Sequence, residues 1–307
     1  MTSLDPKLVE LSSERRHLMS LGYRMLGTVA DAEDAVQETY ARWYRLSSDE
    51  RDAIDVPRAW LTKVAGRVCL DMLGTARARR EHYVGEWLPE PVPGTTFATE
   101  AVAVDPLDRV TLDESVSTAL LIVLESLTPA ERVAFVLHEV FALSFADIAE
   151  IVGRSADACR QLATSARRRI RERGTSETAT PRHDALVHAF VAACESGDVE
   201  ALVAVLDPDV VLRSDGGGIV SAARNPVHGA LNVARFVLGI LSKEPMIEVT
   251  LRETPDGLAL VASVGGSLLS VVNLAVAAEI DAVSDVWIMM NPEKLSLWGV
   301  SAPPGRQ

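Results

Sequence analysis

Cysteine is scarce in this chain: Cys69, Cys159 and Cys194 are its only three, they lie far apart, and none forms a C-x-x-C pair. That pattern excludes a disulfide-stapled secreted scaffold and fits free, mostly buried thiols in a reducing, cytoplasmic compartment. Long apolar runs are also missing. The most apolar stretch, Val264 to Ala278, is interrupted by Gly265, Gly266, Ser267, Ser270 and Asn273, so it reads as buried strands rather than a membrane span. The N-terminus lacks a basic segment followed by an apolar one, so it is not a signal peptide. No internal repeat is present, and the sequence implies no cofactor and no metal.

What is present is an ordinary globular composition, 48% hydrophobic and 24% charged over 307 residues, enough for two or three compact units. The formal charge is −13, but it is unevenly spread. Arg58–Arg80 holds six basic residues and one acid, and Arg154–Arg173 holds seven and two. Between them, Glu81–Glu150 holds two basic residues and thirteen acids. Two basic islands flanking an acidic bridge are compatible with polyanion binding despite the global acidity.

Helical periodicity dominates to about residue 174. Leu8, Leu11, Leu18, Leu21 and Met25 mark one helix face, a second helix starts at Asp31, and Pro57 suits the first turn of a third. The proline-dense "EWLPEPVPGTT" breaks the pattern, and helix signals resume near Leu112. "TPAE" from Thr128 and "SFAD" from Ser144 are capping boxes. Gly153 then ends one short helix and Ser155 caps the next, which is the layout of a helix-turn-helix. After the linker-like "GTSETATP", two helices broken at Gly197 precede β-rich segments with a turn at Pro255-Asp256-Gly257. Helices followed by a meandering antiparallel sheet predict an α+β domain.

In a helix-turn-helix the second helix enters the major groove. Ala158, Leu162, Ala166 and Ile170 are expected to pack inward, leaving Arg160, Gln161, Thr164, Arg167, Arg168 and Arg171 outward. Arginine and glutamine read guanine and adenine bidentately, and the later arginines suit phosphates. Cations that only complement a helix C-terminus are the plain alternative. The first island, Arg58, Lys63, Arg67, Arg77, Arg79 and Arg80 with Trp60, suits opened nucleic acid, although Trp60 reads better as core.

The ordered run of "DAEDAVQETYARWYR", "PRAWLTKVAGRVCLDMLGTARARRE" and "LTPAERVAFVLHEVFALSFADIAEIVGRSADACRQLATSARRRI" resembles bacterial sigma factors of the extracytoplasmic-function (ECF) class over about residues 8–173. The resemblance implies a multi-domain protein: a sigma-2 domain at 1–80, an acidic proline-rich linker at 81–110, and a sigma-4 domain at 111–174. It implies that Asp34, Ala35, Val36 and Gln37 bind core RNA polymerase. It further implies that Arg58, Trp60, Lys63, Arg67, Arg77, Arg79 and Arg80 capture the −10 promoter DNA, and that Ser155 and the outward residues of the last helix read the −35 element. Arg67 stands where most members of the class have asparagine.

Residues 182–300 are similar to SnoaL-like (NTF2-like) α+β domains, and sigma factors carrying such an extension show a "YVGxWLPEP"-type linker and an "NPxKL" motif. Both are here, in Tyr83, Trp87, Leu88, Pro89, Glu90 and Pro91, and in Asn291, Pro292, Glu293, Lys294 and Leu295. The resemblance implies regulation in cis through these motifs, without an obligatory separate anti-sigma factor and without a membrane partner. The plain reading of the linker is a stiff spacer. Arg213, Asp215, His228 and Trp287 are candidates for a pocket taking a small-molecule ligand, with "SDGGG" readable equally as a tight turn. The expectation is a transcription factor rather than an enzyme. A polymerase-independent DNA-binding regulator and a SnoaL-like enzyme are the alternatives.

Overall fold

The computed structural model describes residues 6–81, 83–94, 96, 117–172, 181–277 and 280–299, and of 6–13 and 76–81 only the backbone course. The chain divides into two compact units: Met1–Glu81 with Val123–Arg173, and His82–Ile122 with Gly174–Gln307. No helix among the described residues is long and apolar enough to cross a membrane.

The first unit opens with α1 (Pro6–Leu26), α2 (Val29–Arg45), a short α3 (Ser48–Asp52) and α4 (Pro57–Glu81). Helix α2 begins ahead of the expected Asp31 because Thr28 is the cap: its hydroxyl accepts the Asp31 N–H. Gly22 sets the approach of α1 to α2, since a Cβ there would lie 3.0 Å from Ala32 Cα. Leu18, Leu21, Met25, Ala35, Val36, Trp43, Leu61, Val68 and Cys69 form the buried interior. Burial raises the Cys69 thiol to about 12, so it stays protonated and inert. The side chains of Leu8 and Leu11 lie outside the described residues.

Helix α5 (Thr118–Glu125) is followed by α6 (Pro129–Glu139), α7 (Phe145–Val152) and α8 (Ala156–Glu172). The start expected near Leu112 lies outside the described residues. Thr128 and Glu131 close the capping box of α6 with Pro129 at its first turn, and Ser144 caps α7 through the Asp147 N–H. Gly153, at φ +69°, turns the chain into α8. The buried face of α8 is Cys159, Ala163, Ala166 and Ile170 rather than the expected set from Ala158. Spacings of four, three and four track the 3.6-residue turn, whereas strict fours drift around the helix, leaving Ala158 and Leu162 half-buried.

Helix α4 packs on α6 and α7, and Gly66 permits it: a Cβ there would meet Leu137 at 3.0 Å and Ile151 at 3.4 Å. Arg132 of α6, 2% exposed, reaches the last turn of α1, donating from Nε and Nη2 to the Arg24 carbonyl at 3.3 and 3.1 Å and pairing with Glu125. A guanidinium so placed satisfies a helix-terminal carbonyl and its negative dipole end. Burial nevertheless lowers its pKa to about 9.

In the second unit α9 (Pro181–Ser196) and α10 (Val199–Ala204) break at Gly197, φ +67°. Then come β1 (Leu206–Asp215), β2 (Val227–His228), α11 (Ala230–Lys243), β3 (Glu248–Thr254), β4 (Gly257–Val264), β5 (Ser267–Val276) and β6 (Val283–Met289). Two 3₁₀ turns, Pro292–Lys294 and Ser296–Trp298, follow. The sheet order is β2-β1-β6-β5-β4-β3. From β3 to β6 it is the expected antiparallel meander, but β1 joins β6 in parallel, so the sheet is mixed. After β2 and α11, β3 runs opposite to β1, and the three antiparallel reversals from β3 to β6 bring β6 parallel to β1.

Period-two alternation gives the sheet two apolar faces. Leu212, Leu260, Leu274, Val286 and Ile288 join Phe190, Leu202 and Val233 from the helices. On the other face Ala259, Val261, Val271, Ala275, Trp287 and Met289 pack against Leu88 of the linker and against Leu295 and Trp298.

Candidate nucleic-acid and polymerase surfaces and the docked linker

Of the expected polymerase-binding quartet, Asp34 and Gln37 are exposed, three residues apart on one side of α2. Ala35 and Val36 are buried in the helical core and support that surface rather than form it.

On α4, Arg67 is exposed, while the Trp60 ring is half-buried and meets Trp43 edge-on at 5.2 Å, in keeping with a core role. Arg58 donates to His17 Nδ1 at 3.1 Å and pairs with Glu14. Arginine is donor-only, so His17 must be neutral with its proton on Nε2, which donates to Thr62 at 3.1 Å. Burial, with help from Arg58 and Arg24, lowers this imidazole to about 4. Lys63 is tied to Asp147 at 2.5 Å and Glu150 at 3.4 Å, both on α7. The side chains of Arg77, Arg79 and Arg80 lie outside the described residues.

Ser155 caps α8 through the Ala158 N–H at 3.2 Å. Arg160, Gln161, Thr164, Arg167, Arg168 and Arg171 are all exposed, as expected. Arg160 sits over the Phe145 ring at 5.3 Å and pairs with Asp157 at 2.5 Å, Arg167 pairs with Glu139, and Arg168 with Glu172 at 3.8 Å. Ion pairs this open are exchanged cheaply for phosphates. Arg169 instead faces inward to Glu131 at 3.2 Å.

The linker is docked, not a free spacer. Leu88, Pro89, Glu90, Pro91 and Val92 are buried, and Trp87 is half-buried. Asp215, fully buried at the end of β1, accepts from the Tyr83 hydroxyl at 2.6 Å, the Leu88 N–H at 3.0 Å, the Gly217 N–H at 2.9 Å and Lys294 Nζ at 2.8 Å. Lys294 also donates to the Leu88 carbonyl at 2.6 Å and lies 4.2 Å from the centre of the Trp87 ring. Asn291 donates to the Tyr83 oxygen at 3.0 Å, and Trp298 Nε1 to the Pro91 carbonyl at 3.0 Å. Burial and the bond to Asp215 push the Tyr83 hydroxyl well above its ordinary pKa. Both linker and "NPEKL" motifs thus meet in one knot. Leu295 joins the apolar face beside it, Pro292 is half-buried in the first 3₁₀ turn, and Glu293 remains exposed. Gly217, at φ +67°, makes room: a Cβ there would lie 2.5 Å from Asn291 Cγ.

The four pocket candidates do not converge on a cavity. Asp215 is saturated in the knot, Arg213 pairs with Asp285 at 3.1 Å and Glu86 at 3.9 Å, Trp287 is buried in the sheet face under Leu88, and His228 is exposed on β2. "SDGGG" is the tight turn. A cavity of about 190 Å³ does lie beside it, lined by Val84, Gly85, Ser214, Gly216, Gly218, residues 219–223 and Arg224. Among the described residues no cluster of three or more His, Cys, Asp or Glu side chains is suited to a metal.

A second anchor escaped the sequence reading. Asp256, buried in the β3–β4 turn, accepts the Thr118 N–H at 2.7 Å and the Thr118 hydroxyl at 2.5 Å, with Asn273 Nδ2 at 2.9 Å. It caps α5 from outside the helix, and burial raises its carboxyl pKa.

Residues 11–79 match the Sigma-70 region 2 family and 117–170 the Sigma-70, region 4 family. The ECF RNA polymerase sigma factor SigJ of Mycobacterium tuberculosis is 44% identical over 237 residues, 76% of this chain and 73% of the relative. The chain belongs to the ECF RNA polymerase sigma factors. Probable ECF RNA polymerase sigma factor SigI of the same species is 37% identical over 96% of this chain and 97% of its own. The crystal structure of M. tuberculosis SigJ superposes at TM-score 0.73 with 36% identity, covering 94% of this chain and 98% of that one. That superposition takes in the α+β unit as well as the helical one. The region 2 match falls on α1–α4 and the region 4 match on α5–α8. The family role is that of a polymerase specificity subunit, and these relatives are sigma factors rather than enzymes.

Proposed function

We propose that this ECF sigma factor binds core RNA polymerase through the Asp34–Gln37 surface, captures the −10 element with α4 and reads the −35 element with α8, under control in cis of its SnoaL-like unit. The observation that carries the regulatory part is the Asp215–Lys294–Tyr83–Leu88 knot, which fastens the segment leaving the sigma-2 helices to the C-terminal sheet. Tethering gives such a contact a high effective concentration, so it needs no separate anti-sigma factor. Helix α4 also packs against α7, the first helix of the helix-turn-helix that presents α8. Elements about 25 base pairs apart on a promoter are separated by roughly 85 Å of duplex, at about 3.4 Å per pair. On this reading the factor opens before engaging both elements, and the linker knot biases that opening. A small-molecule ligand in the cavity beside the glycine turn would touch Val84 and Gly85 of the same linker.

The test is run-off transcription with purified core polymerase on the DNA upstream of the protein's own gene, comparing the full chain with Lys294→Ala. A transcript from the parent establishes promoter-directed initiation, and a changed yield with the variant at equal polymerase occupancy gives the sign of the control. Equal yields, with the linker shown by limited proteolysis to be released, would sink the regulatory reading.

A further inference from the structure

Strand β3 ends the sheet, and its outer edge has no strand partner among the described residues. Glu248, Val249, Thr250, Arg252 and Glu253 are exposed there. At its C-terminal end the edge is already used: the Gly94 N–H donates to the Glu253 carbonyl at 2.9 Å. Because outward-facing backbone groups alternate along an antiparallel strand, Leu251 and Val249 present their N–H and C=O groups to the same edge as Glu253. Four backbone groups thus face outward on a strand that is neither short nor kinked. Exposed edges of this kind template pairing with another chain.

We propose that β3 pairs antiparallel with β3 of a second copy of this chain, about a two-fold axis at Thr250. Two independent requirements select that register. The backbone requires outward residues to face each other, which allows Val249 opposite the partner's Leu251, Leu251 opposite itself, or Val249 opposite itself. Centring on Leu251 would set Val249 against the partner's Glu253, whose carbonyl Gly94 already holds. Centring on Val249 would leave Arg252 without an acid opposite. Only the axis at Thr250 places Glu248 against the partner's Arg252 twice, and Val249 against its Leu251 twice. Within the paired segment 248–252, Glu248, Thr250 and Arg252 then lie on one face of the joined sheet and Val249 and Leu251 on the other. Charges on an edge commonly deter pairing, but here they alternate in sign four residues apart, which makes the strand complementary to itself.

The interface is small, so the dimer is a weak one that dissociates on dilution. Sedimentation velocity of the full chain, from about 1 μM to about 100 μM to bracket weak association, should show a monomer–dimer equilibrium. Arg252→Glu sets like charges against Glu248 and should weaken association at least tenfold, and Glu248→Arg with Arg252→Glu should restore it. Thr250→Cys places two thiols at the axis, where Cα atoms of a non-hydrogen-bonded pair lie about 4.5 Å apart, within disulfide reach. Mild oxidation should therefore crosslink Thr250→Cys made in a Cys194→Ser background, since Cys194 is only half-buried, but not that background alone, whose Cys69 and Cys159 are buried. A chain that stays monomeric throughout, an Arg252→Glu variant that associates as the parent does, a charge swap that fails to restore, or a dimer that Thr250→Cys does not trap would each overturn the proposal.

Discussion

Lys294 and Asp215 show how much one buried pair governs in this molecule. Their side chains are 7% and 0% exposed, and between them they hold Tyr83, Leu88 and the glycine turn. Truncating Lys294 leaves a buried carboxylate short of its cation, so Lys294→Ala is expected to cost about 3–5 kcal/mol. Removing both charges with Asp215→Asn and Lys294→Met should cost less than the sum of the single changes, a coupling that urea unfolding of the four variants measures directly. His17 offers a pH signature of a different kind. Its folded pKa of about 4 lies below the ordinary 6.5, so the unfolded chain takes up the proton first as pH falls. The contribution is therefore complete above about pH 6.5 and lost on the way to about pH 4, amounting to up to about 3 kcal/mol across that window. The urea midpoint of the parent should fall steeply over that range, and His17→Gln, which can keep both hydrogen bonds uncharged, should flatten the fall. A parallel pH profile for the variant would show that other groups carry the acid limb.

At the scale of elements, α5 is the piece whose environment matters more than its sequence. Its first turn takes a cap from Asp256, a residue 138 positions away in the chain. Asp256→Ala would strip that cap and strand Thr118 and Asn273 in a buried site, at about 2–4 kcal/mol, visible as lost protection of the Thr118–Leu121 amides in hydrogen exchange. Unchanged protection would mean that α5 is held by its apolar face alone. The contrast with α6 and α7 explains what the sequence could tell. Their caps, Thr128 with Glu131 and Ser144 with Asp147, are local, so the chain spells them out. The outward arginines of α8 were legible for the same reason, and its buried face was misjudged only where a spacing of four was carried too far. Asp256 is equally local as a turn residue, in Pro255-Asp256-Gly257, but its role as a cap depends on a long-range pairing that no pattern encodes. Asp215 likewise carries the signature of a pocket acid, and only the arrival of Tyr83, Leu88 and Lys294 turns it into an anchor. The parallel seat of β1 beside β6 is a third instance: each strand was recognisable, but the order of the sheet depends on the crossover between them.

For the whole molecule, the arrangement of the sigma helices argues that stability and function pull in opposite directions. The contact of α1 and α4 with α6 and α7 rests on apolar packing of α4 at Gly66, Leu137 and Ile151, on the buried Arg132 of α6 reaching the Arg24 carbonyl of α1, and on the half-exposed Lys63 pairs. Surface pairs of that kind contribute less than about 1 kcal/mol each, so packing and the buried guanidinium dominate. Gly66→Leu should wedge the contact apart, because even a Cβ would stand 3.0 Å from Leu137. Overpacking of this sort costs about 1–3 kcal/mol, enough to shift a closed–open equilibrium by a factor of roughly 5 to 150. If the factor opens before spanning a promoter, as proposed, it gains from that loss. Spin labels at the exposed Arg67 and Thr164 should then report a longer distance in Gly66→Leu than in the parent, and the variant should bind core polymerase more tightly. A longer distance without tighter binding would show that opening does not limit the partnership; an unchanged distance would show that α4 repacks around the new side chain and that the closed contact is more robust than its one glycine suggests.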